Sequence, residues 1–266
     1  LRLNHTELAV YAHRCGTELS DAQAESLLYS SEGWFSAVYL NLRTLSEHGT
    51  LPERDSDIFT MFTAAMIDPL PPVQQEFLTV LGMVDEFTVE MAEAITGRSD
   101  AAALLAELTS RNAFVKRLPD SDRYRCHHML KDCAALAFQK LPEEKRALYY
   151  NRYGQWFETH GMLLHALYAY RNGKNYDALL RVTQQDAGIL LCSLPPDSVL
   201  STLAECPEKT LRAHPEALLV LMRCMFNWNR VPEMQKLKQQ LLAAVDEHPE
   251  WGTMIFDYAS DQVQSF

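Results

Sequence analysis

The sequence predicts a mostly α-helical protein that contains one small β-hairpin. Ala, Leu, Glu and Gln are abundant, and the 266 residues include only 10 Gly and 12 Pro, a composition that favours long helices over sheets. Apolar residues recur at helical spacing through most of the chain. Residues 113–126 differ, because they form two short strand patterns around a turn. At about 100 to 200 residues per domain, the length indicates two or three domains.

Composition and charge predict a soluble, cytoplasmic protein. The chain is 47% hydrophobic and carries 24 Lys+Arg against 35 Asp+Glu, for a formal charge of −11. No apolar run approaches the ~18 residues that a membrane span needs, so no membrane association is expected. The six cysteines are widely spaced without a CxxC pair, which is typical of reduced thiols in the cytosol. Because the chain opens at Leu1 without a Met or a signal-peptide pattern, we expect it to be a piece of a longer protein.

Residues 1–56 are predicted to form a first, purely helical segment. One helical pattern runs from about Asn4 to Arg14 and a second from Ser20 to Leu45, with a break at Gly16. The second pattern is interrupted at residues 30–33, so it indicates either one kinked helix or two paired helices. A polar linker then follows at residues 48–57.

Residues 57–141 are predicted to form a winged-helix domain. Apolar stripes indicate helices at residues 57–68 and 73–81, and two shorter helices are expected at about 88–95 and 100–111. Strands at 113–118 and 123–126 flank the turn residues 119–122, and a further helix is expected at 127–140. Helices followed by a β-hairpin give the order of a winged helix.

Residues 142–266 are predicted to form antiparallel helix pairs that resemble tetratricopeptide repeats without a strict period. Helices of ~12 to 20 residues alternate with short polar breaks, for example at 161–182 and 215–245. Stacked pairs create a concave surface that can bind an effector or a protein partner. Candidate lining residues are Tyr168, Arg171, Trp228 and Arg230. The alternative for Tyr168 and Trp228 is packing between helices.

Motifs for catalysis are absent from these 266 residues. No GxxxxGKS/T or GxGxxG loop, no HExxH and no GxSxG occurs, so we expect no enzymatic activity, and no bound cofactor, in this chain. The richest cluster is Cys126-His127-His128 followed by Cys133. It could supply zinc ligands, but it lacks the usual spacing of two ligand pairs. The alternative is that one histidine is buried and hydrogen-bonded while its neighbour faces water.

Charge argues against DNA binding by the winged helix itself. Residues 88–111 hold both helices of its helix-turn-helix unit and contain four acids and two bases, namely Glu90, Glu93, Asp100, Glu107, Arg98 and Arg111. Duplex binding depends on Lys and Arg that neutralise phosphates. We therefore expect this domain to contact protein or to sense a nucleotide.

Four segments, in order, resemble the MalT-type regulators of the LuxR family. They are Glu32-Gly33-Trp34, Gln75-Glu76-Phe77-Leu78, residues 104–114 (LLAELTSRNAF) and residues 124–130 (YRCHHML). The similarity is collinear over about residues 1–190. Members of this family are large bacterial, ATP-dependent transcriptional activators of the signal-transduction ATPase class.

The resemblance implies that this chain holds the lid of a nucleotide-binding module (1–56), a winged helix (57–141) and the start of a helical-repeat sensor (142–266). ATP or ADP would bind an upstream domain of the full-length parent, and DNA would bind only a missing C-terminal domain. An effector or protein would bind the repeats, and the activated parent would self-associate. His127 matches the winged-helix histidine that contacts the β-phosphate in the resting state of related ATPases. The family usually has an aromatic residue where Cys126 stands and Phe where Leu130 stands.

Two other hypotheses remain open from the sequence. One is a free-standing helical-repeat adaptor that binds peptides or proteins in a concave groove. The other is an enzyme with an unfamiliar site around His127 and His128. A phosphate-binding loop upstream and a helix-turn-helix downstream in the parent gene would distinguish the regulator from both.

Overall fold

A computed structural model describes residues 3–31, 33, 35–49, 63, 67–110, 115–126, 128–185, 188–253 and 255. The chain forms two compact units, Leu1–Lys140 and Leu141–Phe266, and each is treated by itself. The described part is mostly helical with a small antiparallel sheet, which confirms the predicted fold class. Within the described residues, no helix is both long enough and apolar enough to cross a lipid bilayer.

The first unit begins with three helices, α1 (His5–Arg14), α2 (Asp21–Ser31) and α3 (Phe35–His48). Asn4 starts α1 through a capping box, in which its side chain accepts from the Glu7 N–H and the Glu7 carboxylate accepts from the Asn4 N–H, both at 2.9 Å. Their apolar faces meet in one cluster that contains Leu8, Ala12, Ala24, Leu27, Val38 and Leu42.

The helical pattern from Ser20 to Leu45 therefore corresponds to two helices, α2 and α3, and not to one kinked helix. Gly33 lies between them with φ +71°, and its carbonyl accepts a 2.6 Å hydrogen bond from the Leu3 N–H. A Cβ at Gly33 would stand 2.3 Å from the Leu3 carbonyl oxygen. Glycine is needed here both for the left-handed backbone and for this close approach.

The rest of the first unit has the winged-helix order. It runs α4 (Pro72–Leu81), β1 (Glu86–Phe87), α5 (Val89–Thr96), α6 (Ala101–Ser110), β2 (Val115–Arg117), β3 (Tyr124–Cys126) and α7 (His128–Gln139). α4 packs on α7, and α5 on α6. The helix predicted at 57–68 lies almost entirely outside the described residues.

The sheet has three antiparallel strands in the order β1-β3-β2. Strands β2 and β3 form the predicted hairpin, with Val115 opposite Cys126 and Arg117 opposite Tyr124. Strand β1 was not predicted from the sequence, and it pairs Glu86 with Arg125 and Phe87 with Tyr124. A strand of two residues is too short to show an alternating pattern, so only its partner strand defines it.

The second unit consists of helices joined by short loops. They are α8 (Glu143–Thr159), α9 (Leu163–Asn172), α10 (Tyr176–Gln185), α11 (Ile189–Cys192), α12 (Pro196–Glu205), α13 (Glu208–Arg212), α14 (Pro215–Asn227) and α15 (Val231–Glu247). Successive helices pack as pairs, α8 with α9, α9 with α10, and α14 with α15. A shared apolar core joins α9 to α15 and includes Leu180, Val182, Leu218, Leu221 and Met225.

Candidate functional site

The junction between β3 and α7 carries the sequence motif with two histidines. Cys126 ends β3 and is 4% exposed, and α7 begins at His128. His127 and the side chain of His128 lie outside the described residues. Burial raises the pKa of the Cys126 thiol to about 12 and also raises the pKa of Cys133. Both thiols are therefore protonated at neutral pH and behave as small apolar side chains of the core.

Of the side chains in this motif that the structure describes, Cys126 and Cys133 are both buried. Within the described ranges, no group of three or more His, Cys, Asp and Glu side chains is arranged to hold a metal ion.

Ion pairs connect the three elements around this junction. Glu86 on β1 accepts from Arg125 on β3, with Nε to Oε1 at 3.1 Å, and from Arg123 at 3.3 Å. Lys131 on α7 pairs with Asp85, which precedes β1. The hydrogen bond from Arg125 lowers the pKa of Glu86, and that from Lys131 lowers the pKa of Asp85. These cations are engaged with carboxylates, which holds the short strand β1 against β3 and α7.

The helix in the recognition position, α6, has no cationic side chain. Its sequence is AAALLAELTS, and Ala102, Ala103 and Ala106 are exposed. In the loop before it, Arg98 binds Asp100 through two hydrogen bonds of 2.8 and 2.6 Å. Arg111 lies outside the described residues. A helix without Lys or Arg offers no positive charge to neutralise DNA phosphates.

The second unit contains an apolar cavity of about 100 Å³, bounded by α9, α10, α11, α12 and α14. Its inner wall is made of buried apolar residues, Leu167, Leu179, Leu180, Leu191, Val199 and Leu221. Tyr168, which is 68% exposed, and the half-buried Arg171 and Ser198 lie at its rim. The cavity therefore joins an apolar interior to a polar, positively charged opening.

Arg171 is held at this rim by hydroxyl groups. Its guanidinium donates to Ser198 Oγ at 3.1 Å and to Ser201 Oγ at 2.9 Å. Its guanidinium forms no ion pair with any carboxylate in the part of the chain that the structure describes. A guanidinium has five N–H donors, so donors remain for a further acceptor.

The structure separates the four lining residues that the sequence predicted. Tyr168 and Arg171 line the cavity, whereas Trp228 follows α14 and packs, partly buried, against the core of the unit. Arg230 pairs with Asp197 of α12 at 2.9 Å. Ser198 and Ser201 were missed, although their i, i+3 spacing places both on one face of α12 and could have marked a polar strip.

Comparisons with known proteins place the winged helix. The family model of the MalT winged helix domain matches residues 63–147. The chain is 26% identical over 219 residues, 79% of its length, to the serine/threonine-protein kinase PknK of Mycobacterium tuberculosis and of Mycobacterium bovis, and covers 19% of each. It is 26% identical over 149 residues, 51% of its length, to the HTH-type transcriptional regulator MalT of Vibrio cholerae, and covers 16% of it.

The chain thus spans a fifth or less of these relatives, and the matched region is the one in which the structure has its three-stranded sheet. Helix order, sheet and sequence similarity agree with the resemblance found in the four short segments. Residues 63–147 therefore match the MalT winged helix domain, and the chain as a whole is similar to proteins that contain such a domain.

Proposed function

We propose that this chain is the regulatory centre of a LuxR-family transcriptional regulator of MalT type. In this proposal it couples the nucleotide state of an upstream domain and the binding of an effector to a DNA-binding domain outside the chain. The observation that supports it most is the order of parts, in which a MalT winged helix follows a three-helix segment and precedes helix pairs.

The names of the relatives support a regulatory role for this chain rather than a role in catalysis or in DNA binding. Similar segments lie in a protein named as a kinase and in one named as a transcriptional regulator. A segment common to two proteins with different outputs is best explained as the part that controls them.

Neither ATP hydrolysis nor specific DNA binding is proposed for this chain itself. The 266 residues have no phosphate-binding loop, and α6 has no cationic side chain. ATP or ADP would bind the parent protein, which we propose to be cytoplasmic and to self-associate when activated. The helices after residue 142, with their resemblance to tetratricopeptide repeats, would hold the effector.

His127 is proposed to report the nucleotide state. An imidazole N–H that donates to a phosphate oxygen would tie the winged helix to the nucleotide-binding domain in the resting form. Exchange of nucleotide together with effector binding would release it. Each ligand shifts this equilibrium only by its differential affinity for the two forms.

The test is His127→Ala in the full-length parent. Because the substitution removes a donor to the bound nucleotide, we expect higher transcription in the absence of effector. His248→Ala, at an exposed position after α15, is the matched control and should leave basal transcription unchanged. Melting curves separate this role from a structural one, since loss of a buried hydrogen bond would cost about 1 to 3 kcal/mol. Unchanged basal activity in a normally folded His127→Ala protein would reject the sensor role.

A further inference from the structure

The cavity in the second unit has the features of a small-molecule site rather than of a packing defect. It is lined mainly by leucines and one valine, with the hydroxyls of Thr183 and Thr202 bonded to backbone carbonyls, and it opens beside one guanidinium held in place by two serine hydroxyls. Ligand sites combine an apolar wall with a few polar groups that fix orientation. Arg171 and Ser198 are polar groups of this kind here, and Ser201 supports Arg171 from outside the lining.

The volume limits the size of the ligand. An engineered apolar cavity of about 150 Å³ stays dry and binds benzene. The present cavity, at about 100 Å³, accordingly takes an alkyl chain of roughly four to six carbons. The part of the wall made by Leu180, Leu191 and Leu221 offers no hydrogen bonds to water and suits an apolar group.

The rim determines the charge of the ligand. Arg171 has N–H donors that remain unused and no carboxylate partner among the described side chains. The Ser198 hydroxyl accepts a hydrogen bond from Arg171 and donates to no residue in the described ranges. Asp197, the acidic residue before Ser198 in the sequence, forms an ion pair with Arg230 at 2.9 Å. A guanidinium beside a free hydroxyl hydrogen is complementary to a carboxylate, and such charge-assisted pairs are about twice as strong as neutral ones.

We propose that this cavity binds a short-chain aliphatic carboxylic acid, with its alkyl tail against the leucines and its carboxylate on Arg171 and Ser198. This inference deepens the proposed regulatory function, on which it rests only for its biological meaning, by naming the chemical class of the effector. Binding requires no covalent step and no cofactor. It should also stabilise the second unit, because a ligand that binds only the folded state raises the melting temperature.

The experiment is calorimetric titration of the full 266-residue chain with hexanoate, 1-hexanol, hexylamine and acetate. We expect saturable binding of hexanoate, at least tenfold weaker binding of hexanol, and no binding of hexylamine or acetate. Acetate lacks the tail that fills the cavity, and hexylammonium places a cation against Arg171. Melting curves with and without hexanoate give an independent measure of the same event.

Three variants test the assigned roles. Arg171→Gln should weaken hexanoate at least tenfold and leave hexanol unchanged. Lys238→Gln, which removes a positive charge from an exposed side chain of α15 that does not line the cavity, should bind hexanoate normally. Leu164→Trp, at a rim position that is 36% exposed, should block both ligands. Circular dichroism establishes that each variant is folded.

Absence of hexanoate binding by the folded chain would overturn the proposal. Equal affinity for hexanoate and hexanol would also overturn it, as would an Arg171→Gln variant that binds hexanoate as tightly as the unsubstituted chain does. The latter two outcomes would describe an apolar cavity without a specific carboxylate site. Because the titration involves no transcription, its failure leaves the regulatory proposal standing. Conversely, the His127→Ala test can fail without affecting this one.

Discussion

Gly154, in the middle of α8, shows how one missing side chain allows two helices to approach. A Cβ at this position would lie 2.5 Å from ring atoms of Tyr170 on α9, a residue that is 3% exposed. In an unpacked helix, Gly→Ala is favourable by about 1 kcal/mol. Here the added methyl group meets a rigid buried ring, so packing rather than helix propensity decides the outcome.

We predict that Gly154→Ala destabilises the protein by about 1 to 3 kcal/mol, the usual cost of overpacking. Urea denaturation followed by circular dichroism measures it. Gly252→Ala is the matched control, since the nearest atom to its Cβ is Val245 Cγ1 at 3.8 Å, and it should be neutral or slightly stabilising. Equal stability of the two variants would show that α8 and α9 do not pack at Gly154.

Glu158, near the end of α8, collects the polar side chains of two neighbouring helices. Its carboxylate accepts from Tyr170 Oη at 2.7 Å, from Arg181 at 2.8 and 3.2 Å, and from Gln185 at 3.0 Å. Burial by itself raises the pKa of Glu158, but the hydrogen bonds from Arg181, Tyr170 and Gln185 together outweigh it, so its pKa lies below the ordinary 4.5. The carboxylate form therefore stabilises the contact between α8, α9 and α10.

The sign of the pH dependence follows from the lowered pKa. The stabilisation is complete above the ordinary value of 4.5 and is lost as the pH falls through the folded-state pKa. Glu158→Gln should therefore be less stable at pH 7, by about 1 to 3 kcal/mol, and the difference should shrink below pH 4.5. Melting curves between pH 3 and 7 test this, with Glu247→Gln, an exposed partner of Arg212, as a control of small effect. A difference that does not depend on pH would contradict the assignment.

At the scale of elements, Thr88 connects the sheet to the helix-turn-helix. It follows β1 directly and caps α5, because its Oγ1 accepts from the Met91 N–H at 3.1 Å. At the other end, Gly97 closes α5 with φ 72° and donates to the Glu93 carbonyl. The short helix is thereby defined at both ends, and its buried residues Met91, Ala92 and Ile95 face the core.

Loss of this cap should destabilise the winged helix. We predict that Thr88→Ala lowers the free energy of unfolding by about 1 kcal/mol, as measured by urea denaturation. Thr88→Ser retains the hydroxyl oxygen, so its free energy of unfolding should stay close to that of the unsubstituted chain. If the Ser variant were as unstable as the Ala variant, the methyl group rather than the cap would be responsible.

At the scale of the whole molecule, net charge and motif content lead to a prediction about the isolated chain. Its formal charge is −11 and it has no phosphate-binding loop. We predict that the purified chain neither hydrolyses ATP nor binds duplex DNA specifically. Phosphate release above background, or a salt-sensitive shift of DNA at physiological ionic strength, would overturn this. The full-length parent, assayed in parallel, serves as the positive control.

Much of the fold was predictable because its signals are local. Apolar spacing located α1, α4, α9, α10, α14 and α15, and turn residues located the hairpin of β2 and β3. Charge arithmetic over residues 88–111 already disfavoured DNA binding, and four short segments carried the family resemblance. Helix faces, turns and local charge are properties of residues a few positions apart, so the sequence by itself determined them.

Only the tertiary structure decided the features that join distant residues. Strand β1 exists because Glu86 meets Arg125, 39 positions away, and Arg171 is positioned by Ser198 and Ser201, 27 and 30 positions away. The same holds for Gly154, whose requirement for glycine comes from a ring on another helix. A cavity has no sequence pattern of its own, since its volume is whatever the packed side chains of five helices leave unfilled.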